Sequence, residues 1–206
     1  MEKDLNFGKH PSKKLQQIFS QRPFQIQEPE KAKIIFLGLD ANSDKDIEKD
    51  ECLFKEILEY FEDGVKYWKL NGYHTPMLKP DYKGNGRRYH QQFRKLGFSS
   101  NNADDICFLE LLKYCTYGSS TKNKKLFIER LRDNENKEHL DRIKNLFEMR
   151  NIICISKSVK RVIDKIKLFD TDNEKIIIHT HFSGAVTNKE LDDLGKRLRE
   201  YINDKK

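Results

Sequence analysis

The chain lacks any apolar run approaching the ~18–20 residues needed to span a bilayer. Its opening residues, Met-Glu-Lys-Asp-Leu-Asn, carry none of the apolar core of a secretory signal. A cytoplasmic protein with no membrane partner is therefore expected. Cysteine is scarce, at four residues (Cys52, Cys107, Cys115 and Cys154), and no two have the short spacing of a metal knuckle. Buried, reduced thiols and no structural metal are the expectation. No internal repeat or low-complexity tract is present. Neither is a Gly-x-Ser-x-Gly elbow or a glycine-rich phosphate loop, which removes the commonest serine-hydrolase and nucleotide-binding signatures.

Apolar residues are also few, 36% of the chain, whereas charged residues reach 35%. Disorder does not follow, because Leu, Ile, Val and Phe together make up 55 of the 206 residues. That fraction lies above the ~20% that marks disordered chains. The length suits a single domain over residues 1–206. The 40 basic and 33 acidic side chains leave a net charge of +7, a balance that fits an anionic partner.

Four short, continuous apolar runs stand out: Lys33–Leu39, Asp105–Leu111, Asn151–Ser156 and Lys175–His179. Continuous rather than alternating runs are characteristic of strands buried on both faces. Helical spacing marks segments around Ser12–Phe19, Leu53–Phe61, Leu140–Phe147, Val159–Ile166 and Leu191–Leu198. Asp63-Gly64 supplies a helix stop, and Thr187 with Glu190 forms a capping box. The order predicts a three-layer α/β/α sandwich around a four-stranded, mainly parallel sheet. A helical insert of about residues 45–103 separates the first two strands. Its second part, residues 63–103, is dense in aromatics, Gly and Pro, and is expected to be largely irregular and to help build a site.

Ligands of parallel α/β sheets bind beyond the carboxyl ends of the strands. The residues at those ends are Gly38-Leu39-Asp40-Ala41-Asn42, Glu110, Ser156-Lys157-Ser158 and His179-Thr180-His181-Phe182-Ser183-Gly184. In type and order they resemble the uracil-DNA glycosylase superfamily. Gly38-Leu39-Asp40-Ala41 is similar to that family's Gly-x-Asp-Pro turn, with Ala41 in place of proline. His181-Phe182-Ser183-Gly184 is similar to its His-x-Ser-Pro turn. Ile106-Cys107-Phe108-Leu109-Glu110 occupies the place of a strand that carries a base-reading asparagine, with Glu110 in its stead. Gly84–Phe93 resembles the Gly-Asn-Arg-Phe-Trp segment of the mismatch-specific branch. The likeness spans about residues 33–190.

The resemblance implies a cofactor-free, monomeric DNA glycosylase that hydrolyses the N-glycosidic bond of a damaged or mismatched base flipped out of DNA. In that reading Asp40 orients water beside the oxocarbenium-like sugar, and His181 donates to the departing base. Tyr89 stacks on the base, Glu110 reads its edge, and Asn42 and Ser183 contact the substrate. An ionised Glu110 only accepts hydrogen bonds, so it would suit a two-donor edge such as that of guanine. Arg87, Arg88, Lys157 and Lys160 would meet DNA phosphates, and Val186 would act as a small wedge. Three alternatives stay open. They are a non-catalytic nucleic-acid-binding module, a hydrolase of free nucleosides or nucleotides, and a metal-dependent site built from Asp40, Asp44, Glu110 and His181.

Overall fold

A computed structural model describes residues 7–149 and 151–204. Among these residues the strands are β1 (Phe7–Lys9), β2 (Phe24–Ile26), β3 (Ile34–Gly38), β4 (Ile106–Glu110), β5 (Thr116–Gly118), β6 (Ile152–Ser156) and β7 (Ile176–His179). The helices are α1 (Lys13–Gln21), α2 (Glu51–Glu62), α3 (Gly64–Asn71), α4 (Arg87–Arg94), α5 (Lys124–Leu131), α6 (Asn134–Glu148), α7 (Lys157–Ile166) and α8 (Asn188–Asp204). The protein is α/β, and each of the four apolar runs contains a strand.

The main sheet has five strands in the order β2-β4-β3-β6-β7, not four. The pairs β4-β3, β3-β6 and β6-β7 are parallel. The added member, β2, runs antiparallel along β4, with Phe24 opposite Leu109. At three residues it is too short to give a periodic signal. A second, two-stranded sheet pairs β1 with β5.

Successive side chains of a strand point to opposite faces, and the strands feed two separate apolar cores. Ile34, Phe36, Ile106, Phe108, Cys154 and Ile177 share one core with residues of α1, α2, α3, α4 and α8. Ile35, Leu37, Cys107, Leu109, Ile153 and Ile155 share the other with α5, α6 and α7. This two-sided burial explains why the strand sequences are continuously apolar. Cys107, Cys115 and Cys154 are buried thiols, whereas Cys52 is exposed. Cys52 sits in the first turn of α2, whose inward positions are filled by Leu53, Phe54 and Ile57.

Helix ends follow local chemistry. Asp63 closes α2 and also caps α3, its carboxylate accepting from the Lys66 amide at 3.0 Å. The Glu190 carboxylate accepts from the Thr187 amide at 2.7 Å, and the Thr187 hydroxyl accepts from the Glu190 amide at 3.2 Å. This is the reciprocal capping box expected at the start of α8. Residues 63–103 are more regular than their composition suggests, since they contain α3 and α4. Helix α4 reads RRYHQQFR and buries only His90 and Phe93. It therefore lacks a broad apolar stripe.

Gly195 lies where α8 passes over the segment that follows α4. A Cβ there would collide with the Leu96 backbone carbonyl and would approach the Arg199 guanidinium. Gly→Ala in a helix interior ordinarily stabilises by about 1 kcal/mol. Here overpacking against fixed backbone should outweigh that gain. Gly195→Ala is expected to destabilise the protein by about 1–3 kcal/mol, read as a lower urea midpoint at unchanged m-value.

Candidate active site

The carboxyl ends of β3 and β4 and the turn after β7 border one cavity of about 360 Å3. Asp40, Asn42, Tyr89, Glu110, His181 and Ser183 all line it. The parallel pairing of β3 with β4 sets Gly38 directly opposite Glu110. The Glu110 carboxyl lies against the Gly38 Cα, in space that any Cβ at that position would fill. A side chain at position 38 would therefore force the Glu110 carboxyl to move out of its present place.

Asp40 is held from a distant part of the chain. Its Oδ1 accepts from the Ser120 hydroxyl at 2.6 Å, and its Oδ2 accepts from the Thr116 hydroxyl at 2.5 Å. The Asn42 amide adds a long contact to Oδ2 at 3.5 Å. Backbone bonds bring Thr116 there. Its amide donates to the Ala41 carbonyl, and its carbonyl accepts from the Ser43 amide. Burial raises the Asp40 pKa, and these hydrogen bonds oppose the shift by favouring the ionised form.

Glu110 has the opposite surroundings. No side-chain hydrogen bond reaches its carboxyl from the described residues, although its backbone carbonyl meets His139 Nε2 at 2.7 Å. Burial first, and the nearby Asp40 charge second, push its pKa well above the ordinary carboxylate range. Two carboxyls in one cavity are thereby separated by environment. The hydrogen-bonded Asp40 is suited to carry the charge, and Glu110 to keep its proton.

His181 stands at the mouth of the cavity, its ring centre 5.6 Å from that of Tyr89. Its Nδ1 accepts from the Ser183 backbone amide at 3.2 Å. That bond assigns the ring proton to Nε2, leaving an N–H donor. Burial lowers the His181 pKa, which favours the neutral ring. Behind Tyr89 lies a second pair, His74 Nε2 and His90 Nδ1, 2.9 Å apart and packed against Phe93 and Phe108. Desolvation lowers both, His90 to about 3. His90 forms part of the cavity wall.

The remaining expected residues divide. The Arg87 guanidinium donates to the Lys79 and Tyr82 carbonyls and so folds the preceding loop. Arg88 is exposed and donates to the Gly184 carbonyl at 3.1 Å, tying α4 to the His181 turn. Lys160, in the first half of α7, is bound by Asp164 on the same helix and by Asp172 beyond it. Lys157 and Val186 line a different cavity, between β7 and α8. Of the four expected phosphate contacts, only Arg88 is thus both exposed and joined to the pocket turn. Asn42 is largely engaged, its amide donating to the Gly118 carbonyl at 2.5 Å.

Sequence reasoning missed Thr116 and Ser120, because nothing local links them to Asp40. It also missed Lys45, Lys83 and Lys122, exposed cations one or two residues from the lining residues Ser43, Asn85 and Thr121. Among the described residues no three His, Cys, Asp or Glu side chains are grouped so as to hold a metal ion. Asp44, the fourth member of the metal alternative, does not line the cavity. No helix there is long and apolar enough to cross a membrane. No family model, curated protein or solved structure matches the chain.

A carboxyl whose folded pKa is raised favours folding fully below its unfolded pKa, and that contribution is lost as pH rises through the folded value. Glu110 is such a group. Relative to wild type, Glu110→Gln should therefore gain stability as pH rises above the ordinary glutamate range. Urea unfolding at several pH values checks this, and a pH-independent difference would show that Glu110 ionises freely in the fold.

Proposed function

We propose that the protein is a base-excising hydrolase that cleaves an N-glycosidic bond in DNA, in the manner of the uracil-DNA glycosylases its strand-end turns resemble. The observation that carries this reading is the convergence of Asp40, Glu110 and His181 on one cavity at the carboxyl edge of the parallel strands. The two cores on opposite sides of the sheet support the corresponding α/β/α layering. The exposed cations Arg88, Lys45, Lys83 and Lys122 around the pocket loops support a polyanionic substrate.

The chemistry follows from the geometry. Cleavage leaves the bonding electron pair on the base and positive character on the sugar. Asp40, its charge oriented by Ser120 and Thr116, retains lone pairs to accept from a water attacking C1′. Its charge also opposes that of the oxocarbenium-like sugar. His181, a neutral donor through Nε2, hydrogen-bonds the departing base as negative charge develops there. Tyr89 supplies an aromatic wall for a flipped base.

The test is formation of abasic sites in oligonucleotides carrying uracil, hypoxanthine, xanthine or alkylated bases, single-stranded and mismatched. Base release is expected on at least one of them, and none on any would refute the proposal. Asp40→Asn should reduce the rate by about 10^2–10^4, and His181→Phe by about 10^2–10^3. Binding that persists in Asp40→Asn without base release by wild type would favour the non-catalytic module. Turnover of a free nucleoside but not of DNA would assign the same chemistry to a small substrate.

The pH profile adds a further check. Asp40 must be ionised, and burial raises its pKa. The rate constant kcat/KM should fall on the acid side, with a midpoint above the ordinary aspartate range near 4. Ser120→Ala removes a bond that favours the charge, so it should move this midpoint upward.

A further inference from the structure

Two polar side chains on the cavity wall are only half used by the fold. Gln25, in the middle of β2, and His90, in α4, are 8% and 7% exposed, and both line the cavity. Each is anchored by another buried side chain. The Tyr60 hydroxyl donates to Gln25 Oε1 at 3.1 Å. The Gln25 –NH2 group has no acceptor among the described residues. His90 Nδ1 meets His74 Nε2 at 2.9 Å, and no described residue bonds the other ring nitrogen, His90 Nε2. Cδ2, the ring carbon next to Nε2, lies 3.7 Å from where a Cβ on Gly86 would stand, and Gly86 is itself a lining residue.

The bond between the two histidines also decides which nitrogen of His90 carries the proton. Were His90 to donate through Nδ1, His74 would carry its own proton on Nδ1, where no described residue accepts it. A buried N–H without a partner is rarer than an unpaired acceptor. His74 therefore donates from Nε2 to His90 Nδ1, and His90 keeps Nε2–H as a donor for the cavity. Burial favours the neutral form of both rings. Both donors neighbour Phe108. Gln25 stands opposite it in the β2-β4 ladder, and the ring centres of His90 and Phe108 are 5.6 Å apart. Tyr89 adds a second flat wall, 6.2 Å from Phe108. Asp40 lines the same cavity, and its charge disfavours an anionic ligand group there.

We infer that Gln25 and His90 are two specificity-determining donors that select a flat, uncharged ligand by its carbonyl oxygens, with Tyr60 and His74 as positioning residues behind them. The inference rests on the base-pocket reading above. It names residues outside the strand-end turns on which that reading stands. Buried donors left without an acceptor are costly, so a ring whose oxygens are replaced by poor acceptors is rejected even when its shape is kept.

The test is binding of free uracil and of 2,4-dithiouracil to the intact protein at pH 5, followed by nitrogen NMR of the histidine rings and glutamine amides. Sulfur is a weak acceptor. Before any ligand is added, His74 and His90 should both show the neutral Nε2–H tautomer. Uracil should shift the His90 Nε2 and Gln25 amide signals, and dithiouracil should bind about tenfold more weakly or worse. Gln25→Leu and His90→Phe should each weaken uracil binding by about tenfold. His74→Phe should populate the Nδ1–H tautomer of His90 and weaken uracil binding, a tautomer change that lost packing alone does not produce. A wild-type His90 in the Nδ1–H form, equal binding of the two rings, unmoved Gln25 and His90 signals, or no binding of uracil would overturn the inference. No step requires hydrolysis. Base release without these contacts would sink this inference alone, and these contacts without base release would sink only the glycosylase reading.

Discussion

The parallel pairing of β3 with β4, with Gly38 opposite Glu110, is the constraint on which the site depends. In a parallel ladder both strands end at the same rim, so the chain turning out of β3 must pass the last side chain of β4. That side chain is a carboxyl, and it occupies the space that a Cβ at position 38 would fill. The Gly-Leu-Asp turn and the strand-end acid are therefore one structural unit. Gly38, Asp40 and Glu110 all line the same cavity.

A second consequence concerns the segment after β4. Leaving the sheet, the chain returns alongside the β3 turn, where Thr116 exchanges backbone hydrogen bonds with Ala41 and Ser43. The same segment pairs as β5 with β1. The Thr116 and Ser120 hydroxyls are thereby fixed on Asp40. Without these donors a carboxyl so deeply placed would be costly to ionise. The small β1-β5 sheet, separate from the main ladder but bonded to the turn after β3, thus bears on the charge in the pocket.

Much of this arrangement was legible in the sequence, and for identifiable reasons. Strands β3, β4, β6 and β7 are buried on both faces, which forces continuous apolar runs. The Thr187–Glu190 box is local chemistry three residues apart. The convergence of strand ends at one rim follows from parallel topology, which is why Asp40, Glu110 and His181 were expected together. Strands β1, β2 and β5 were not visible, because three residues carry no period. Helix α4 was hidden because it is polar and buries few of its residues. The bonds from Thr116 and Ser120 to Asp40 cross 76 and 80 residues, and no local rule predicts them. The cations failed differently. Arg87 and Lys160 are basic in composition, yet their charges are engaged by carbonyls and carboxylates that only the fold brings near.

Glu110 illustrates the limit most clearly. On sequence grounds it is an acid at a strand end, and an acid is by default a charge. In the fold it is partly buried at the cavity wall, lies near a second carboxyl and gains no side-chain donor from the described residues. Two carboxyls so placed cannot both ionise without large cost, and the donors on Asp40 decide which one does. Residue type alone therefore does not say which of the two acids carries the charge. It depends on how far each acid is desolvated and on where the hydroxyls of Thr116 and Ser120 are aimed. A change at those positions would alter the chemistry of the pocket without touching either acid.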